Sequence, residues 1–198
     1  MRKILFLPGA GGSPEFWRPV AMLLPTEREK VLFGWPGLGS QPHDPRINGI
    51  DDLVRLVEDR IDGPVDVVAQ SMGGVIAARI ALARPTMVHR LVLTATSGGV
   101  NMERFGASDW RAEYRSQFPQ AADWIMQRST AAALPVELIA APTLLIWGDS
   151  DPISPVSIGL HLERRMPNAK LHVVPGGDHS LASDKAEVVA PLIAEHLK

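Results

Sequence analysis

Six short apolar runs recur along the chain, at Ile4–Leu7, Val31–Trp35, Val65–Ala69, Leu91–Thr94, Thr143–Trp147 and Leu171–Val174. Each is almost continuously apolar and gives way to glycine or a polar loop. Runs of this kind suit strands covered on both faces, the condition of a parallel sheet. The intervening segments Glu15–Leu24, Ile50–Ile61, Gly73–Ala83, Pro155–Arg165 and Lys185–Leu197 carry helical spacing. The punctuation agrees. Ser154 can cap a helix with Pro155 in its first turn, Pro85 and Pro167 follow helix ends, and Ser183 or Asp184 opens the last helix. Strands alternating with helices predict a doubly wound α/β fold, a mostly parallel sheet of about six strands flanked by helices.

A length of 198 residues suits one domain, expected over residues 1–198. Lysine and arginine number 20 against 22 aspartates and glutamates, so the chain has no electrostatic footprint for nucleic acid or an anionic membrane. Cysteine is absent, which removes disulfides, thiolate metal sites and cysteine nucleophiles and leaves hydroxyl, carboxylate and imidazole chemistry. Met1-Arg2-Lys3 followed by Ile4–Leu7 imitates a signal peptide, but Pro8-Gly9 cuts the apolar run below the ~7–15 residues of a hydrophobic region. No other stretch reaches the ~18 apolar residues of a membrane span, because Arg79 and Arg84 interrupt one and Pro142 and Asp149 bound another. The expectation is a soluble cytoplasmic protein with no cofactor and no nucleic-acid or membrane partner.

One connection is longer than the fold requires. About 46 residues separate Thr96 from Thr143, where a plain crossover needs roughly a dozen. They contain Phe105, Trp110, Tyr114, Phe118 and Trp124, interleaved with Arg104, Arg111 and Arg115. Two readings fit: a small helical cap over the sheet edge, at about residues 97–140, or a long helix packed on the sheet with its aromatics in the core.

The segment Val68-Ala69-Gln70-Ser71-Met72-Gly73-Gly74 lies between an apolar strand and an apolar helix. A serine on so sharp a turn is strained, and the residues two before and two after it must be small. Ala69 and Gly73 are. The turn would expose the hydroxyl at the carboxyl end of the strand, with the free N–H groups of the helix start aimed at the same spot. Alternatively, Ser71 is only an N-cap. An activated serine needs a base within hydrogen-bond reach and a carboxylate to orient that base. Gly148-Asp149-Ser150-Asp151-Pro152 follows the fifth run, and Gly176-Gly177-Asp178-His179 follows the sixth. Ser71, Asp151 and His179 therefore all fall beyond the carboxyl ends of parallel strands, where open α/β sheets place their sites.

With these segments the chain resembles the α/β-hydrolase superfamily of esterases, lipases and peptidases, through LFLPGAGGSPEFW, FGWPGLGSQP, VVAQSMGG, PTLLIWGDSDPISP and VVPGGDHSL. The resemblance spans nearly the whole chain. It implies Ser71 as nucleophile on a nucleophile elbow, His179 as general base and then acid, and Asp151 as the orienting carboxylate. Asp149 is the rival for the last role, and the family pattern favours the residue three after Gly148. The resemblance also implies an oxyanion hole formed by the N–H groups of Met72 and Ala10, with Gly11 as the alternative to Ala10. Pro8 stands where the family often has histidine. The antiparallel strands that many relatives place before the first parallel strand are expected to be missing.

Other readings of the glycine loops fail. Gly9-x-Gly11 is followed by Pro14 where a dinucleotide fingerprint needs glycine, and no Gly-Lys-Ser/Thr exists for a phosphate loop. Gly34–Ser40 resembles a recurrent loop of the superfamily, with Trp35 replacing a common aspartate, and reads as a turn leading the chain away from the sheet. His43 and Asp44 follow it and either border the pocket or are solvated. His89, His161, His172 and His196 read as structural or solvated, and no histidine or acidic spacing suits a metal. Met72, Trp35, Phe105 and Trp110 are expected to line an apolar pocket, favouring a carboxylic ester or thioester as the small-molecule substrate. Arg104, Arg111 and Arg115 either pair with an acidic substrate or form a solvated face. Amide cleavage, C–C hydrolysis, perhydrolysis and a non-catalytic binding module stay open on the same residues.

Overall fold

The computed structural model describes residues 2–24, 27–127 and 133–198. All six apolar runs are strands: β1 (Lys3–Leu7), β2 (Lys30–Leu32), β3 (Val65–Gln70), β4 (Val88–Thr94), β5 (Thr143–Gly148) and β6 (Ala169–Val174). They form one sheet in the order β2-β1-β3-β4-β5-β6, and every pairing is parallel. β1, β3 and β5 are almost wholly buried, whereas the edge strands β2 and β6 are partly exposed. The helices are α1 (Arg18–Leu23), α2 (Ile50–Glu58), α3 (Met72–Ala83), α4 (Arg111–Gln117), α5 (Val156–Arg165), α6 (Leu181–Asp184) and α7 (Ala186–His196).

Alternation along the strands divides the core into two layers. Leu5, Leu7, Val67, Ala69, Leu93, Leu145 and Trp147 pack with Leu53, Val57, Ile76, Ile80 and Leu162 of α2, α3 and α5. Ile4, Phe6, Val68, Val92 and Ile146 face Val20, Leu181, Val189 and Ile193 of α1, α6 and α7. For the helices that join strands the division follows from strand order, while α6 and α7 come after the last strand. The chain moves from β1 outward to β2, then crosses back to β3 and proceeds the other way, and right-handed crossovers in opposite directions put their helices on opposite faces. The loops after β1 and β3 therefore lead to opposite faces, at the point where open α/β sheets place a binding crevice.

Element ends depart from expectation where side chains have other partners. Ser154 does not cap α5: its hydroxyl accepts from Trp147 Nε1 at 3.1 Å and its N–H donates to Asp151 Oδ1 at 3.0 Å, while the helix starts after Pro155 without a side-chain cap. The last expected helix, Lys185–Leu197, is α7; it starts after Lys185, and Ser183 and Asp184 belong to the separate short helix α6 before it. The first begins as a 3₁₀ turn, Pro14–Trp17, whose Glu15 N–H donates to Ser13 Oγ at 3.2 Å. Between β4 and β5 lies no long helix among the described residues. There, α4 stands among 3₁₀ turns at Glu103–Phe105, Asp123–Met126 and Val136–Leu138. Residues 128–132 of the expected cap lie outside the described residues.

At the amino ends of the strands a buried ion cluster closes the sheet. Asp66 on β3 is fully buried and pairs with Arg28, with His89 Nδ1 at 3.2 Å and with Arg2 at 3.7 Å. A buried carboxylate is tolerated because it is paired on both oxygens. Among the described residues no helix is long and apolar enough to cross a membrane.

Candidate active site

The chain turns directly from β3 into α3 at Ser71, which takes φ 53° and ψ −122°. A left-handed, non-glycine backbone is costly and persists only where the surroundings enforce it. Here Ser71 N–H donates to Thr94 O at 2.9 Å, and Thr96 Oγ1 donates to Ser71 O at 2.5 Å. The turn also passes so close to β1 that a Cβ at Gly73 would lie 2.5 Å from the carbonyl oxygens of Leu7 and Pro8. Ser71 occupies the N-cap position of α3, but its side chain makes no capping bond. Its Oγ instead lies 3.0 Å from His179 Nε2.

His179 follows β6, and its Nδ1 is 2.8 Å from Asp151 Oδ2. The other oxygen of Asp151 accepts from the N–H groups of Ile153 and Ser154, at 2.8 and 3.0 Å. The Asp151 side chain is wholly buried, whereas that of His179 keeps 23 % of its exposure. Gln70 Nε2 donates to His179 O at 3.1 Å and holds the histidine loop to the end of β3. Asp149 faces elsewhere: its Oδ1 accepts from Gly176 N–H at 2.7 Å and from the Ser150 hydroxyl at 3.0 Å. The structure thus brings together Ser71, His179 and Asp151, and uses Asp149 to join the β5 and β6 loops.

The loop after β1 lies alongside. Among the described residues the N–H groups of Ala10 and Gly11 make no hydrogen bond within the chain, and the N–H of Met72 lies in the first turn of α3, where no intrahelical acceptor exists. Four of the loop carbonyls are occupied. Pro8 O accepts from Trp35 Nε1 at 2.8 Å, Gly9 O from Gly12 N–H at 3.1 Å, Ala10 O from the Tyr114 hydroxyl at 2.9 Å, and Gly12 O from Trp35 N–H at 2.9 Å. Gly39, at φ 55°, fits against this loop because it lacks a Cβ, which would come within 2.0 Å of Gly11 O.

Trp35 does not line an open pocket. It is fully buried in the core, where its ring packs beside Phe33 and its N–H supports Pro8. Met72, Phe105 and Trp110 are half-buried and pack on the same side of the sheet as α3. Arg104, Arg111 and Arg115 each have partners within the protein. Arg104 lies over the Phe105 ring and 3.3 Å from His161 Nε2. Arg111 lies over Trp110 and donates to Met126 O at 3.1 Å, and Arg115 binds the carbonyls of Pro119 and Ala121 as well as Asp123. His43 Nε2 pairs with Gln120 O at 3.0 Å, and Arg46 bonds to the half-buried Asp44 lower its carboxyl to about 2. Sequence reasoning missed the parts of Thr96, Gln70 and Tyr114. Only Tyr114 left a signal: the chain's single tyrosine, in an apolar stripe with Trp110 and Phe118, whose hydroxyl needs a partner once buried.

Residues 4–192 match the model of the alpha/beta hydrolase family, and the chain belongs to that family. It is 28 % identical to a poly(3-hydroxyalkanoate) depolymerase of Ectopseudomonas oleovorans, over 98 % of this chain and 84 % of the relative. It is 24 % identical to a pimeloyl-[acyl-carrier protein] methyl ester esterase of Neisseria meningitidis, over 100 % of this chain and 77 % of the relative. The alignment with the depolymerase runs to 238 positions against a chain of 198 residues, so at least 40 of them fall opposite gaps here. The fold superposes on a thermophilic esterase from Thermogutta terrifontis with a TM-score of 0.78 at 20 % identity, covering 100 % of this chain and 89 % of that one. The relatives support hydrolytic activity.

Proposed function

We propose that the protein is a serine hydrolase that cleaves carboxylic esters or thioesters through an acyl-enzyme on Ser71. The observation that carries this reading is the chain of short contacts from Ser71 Oγ through His179 to Asp151, 3.0 and 2.8 Å long, on a strained turn that no structural need of the helix explains. Asp151 holds the tautomer in which Nδ1 carries the proton, leaving Nε2 to accept the proton of the serine hydroxyl. Ser71 Oγ then bonds to the substrate carbonyl carbon. Negative charge develops on the carbonyl oxygen, facing the N–H groups of Met72 and of Ala10 or Gly11, donors worth about 3 kcal/mol each in the barrier. His179 passes its proton to the leaving alcohol or thiol as the tetrahedral centre collapses. Water, deprotonated by the same imidazole, releases the acid and restores Ser71.

On this reading the β4–β5 connection is the cap over the crevice. Met72, Phe105 and Trp110 favour an apolar acyl or alcohol portion, in keeping with a relative named as a methyl ester esterase. A fluorophosphonate probe and a short-chain p-nitrophenyl ester test the assignment. Ser71 is expected to carry the label, and Ser71→Ala to abolish turnover while the protein melts like the parent. Retained turnover in Ser71→Ala would overturn it.

A further inference from the structure

We propose that the Tyr114 hydroxyl is the positioning group of the oxyanion loop, which makes helix α4 part of the apparatus that stabilises the developing charge. This rests on the serine hydrolase reading above. Tyr114 lies on α4, far along the chain from the loop it touches, and only 7 % of its surface is exposed. Its hydroxyl donates to Ala10 O at 2.9 Å and accepts from Gly39 N–H at 2.9 Å. A hydroxyl suits this position because it donates and accepts from one atom. Burial pushes the phenol above its ordinary range, so the donated proton is retained at working pH.

Ala10 O belongs to the peptide plane that carries the Gly11 N–H, and in a trans peptide the two point in opposite directions. Fixing the carbonyl therefore fixes where that N–H is aimed. The neighbouring plane, which joins Gly9 O to Ala10 N–H, is fixed by the turn bond from Gly12 N–H. Tyr114 thus sets directly the plane that presents Gly11 N–H, and restrains Ala10 N–H through the Ala10 Cα that joins the two planes. Glycine at 9, 11 and 12 gives this segment wide backbone freedom. The loop would otherwise have to be ordered in the transition state, at a cost in rate.

The aromatic packing of Tyr114, edge-on to Trp110 at 5.3 Å and tilted against Phe118 at 5.1 Å, is what a merely structural role would rest on. Tyr114→Phe keeps that packing and removes only the hydroxyl. Phe118→Leu loosens the packing and keeps the hydroxyl. Each purified variant is assayed with a p-nitrophenyl ester and with phenylboronic acid, which adds to a serine Oγ as a tetrahedral anion and so reports the oxyanion site without turnover. Tyr114→Phe is expected to lower kcat about ten-fold with KM within about two-fold, a part of the loss on deleting a whole oxyanion donor, and to weaken phenylboronic acid by the same factor. Phe118→Leu is expected to alter neither by more than about two-fold, since it leaves the donors in place. Unchanged kcat and boronate affinity in Tyr114→Phe, or an equal loss in Phe118→Leu, would overturn the proposal. Ser71→Ala separates the two levels. If it stays active the serine mechanism itself falls, and if it is inactive while Tyr114→Phe matches the parent, only the role of Tyr114 falls.

Discussion

Two aspartates two residues apart, both beyond the same strand, have different surroundings. Asp151 is buried, accepts two backbone N–H bonds and meets His179, while Asp149 is exposed and braces Gly176. Asp151→Asn is expected to lower kcat by about 10⁴-fold, because an amide in its place stabilises neither the required tautomer nor the imidazolium. Asp149→Asn is expected to stay close to the parent, and steady-state kinetics on one ester compares the two. Comparable losses would mean that the acid has been misassigned. Ser71 and His179 were legible in the sequence because each lies just past an apolar strand, and strand ends in a parallel sheet converge. The choice of Asp151 needed the family pattern, and the backbone bonds to its second oxygen came only with the fold. Thr96 and Tyr114 left less to read. Their partners, Ser71 O and Ala10 O, lie far away in sequence, and local spacing says nothing about contacts of that separation.

The strands were legible as elements because burial on both faces demands continuous apolar runs, and the helix boundaries were less so. Ser154 has the composition of a cap, yet its hydroxyl is taken by Trp147 and its N–H by Asp151, so tertiary partners outbid the local preference. The short helix α6 ahead of the last helix has no comparable marker in the sequence. Close approach between elements is just as hidden. β5 ends in Gly148, where a Cβ would lie 2.1 Å from Gly177 O in the loop that carries His179. Gly148→Ala must therefore push apart the two loops that hold Asp151 and His179. It is expected to destabilise the fold by about 1–3 kcal/mol, the usual cost of overpacking, and to lower kcat in the same variant. Urea unfolding and ester turnover measure the two, and an unaltered unfolding midpoint would contradict the packing described for this junction.

Stability against pH is a property of the whole molecule, and His196 contributes to it with a definite sign. Its Nε2 lies 3.1 Å from Leu91 O and 3.2 Å from Pro142 O, joining α7 to β4 and to the approach to β5. Burial, with the nearby Arg90 charge, holds its imidazole below the ordinary value of 6.5. The folded state therefore favours the neutral ring. Its contribution is fully present above the unfolded value, about 6.5, and is lost as pH falls through the lower folded value, because the unfolded chain then binds the extra proton. The fall in Tm between pH 7 and pH 5 is expected to be smaller in His196→Gln than in the parent; equal slopes would rule out the assignment. His196 lies with Asp66, Arg28 and His89 at the amino ends of the strands, and Ser71, His179 and Asp151 lie beyond the carboxyl ends. Five residues of strand at about 3.3 Å each separate the two rims by roughly 16 Å, beyond the ~7–10 Å within which substitutions share partners and cease to add. The sheet therefore acts as an energetic spacer. Changes along its lower rim alter how firmly the molecule holds together and leave its chemistry alone, so mutation can explore durability and catalysis as separate variables.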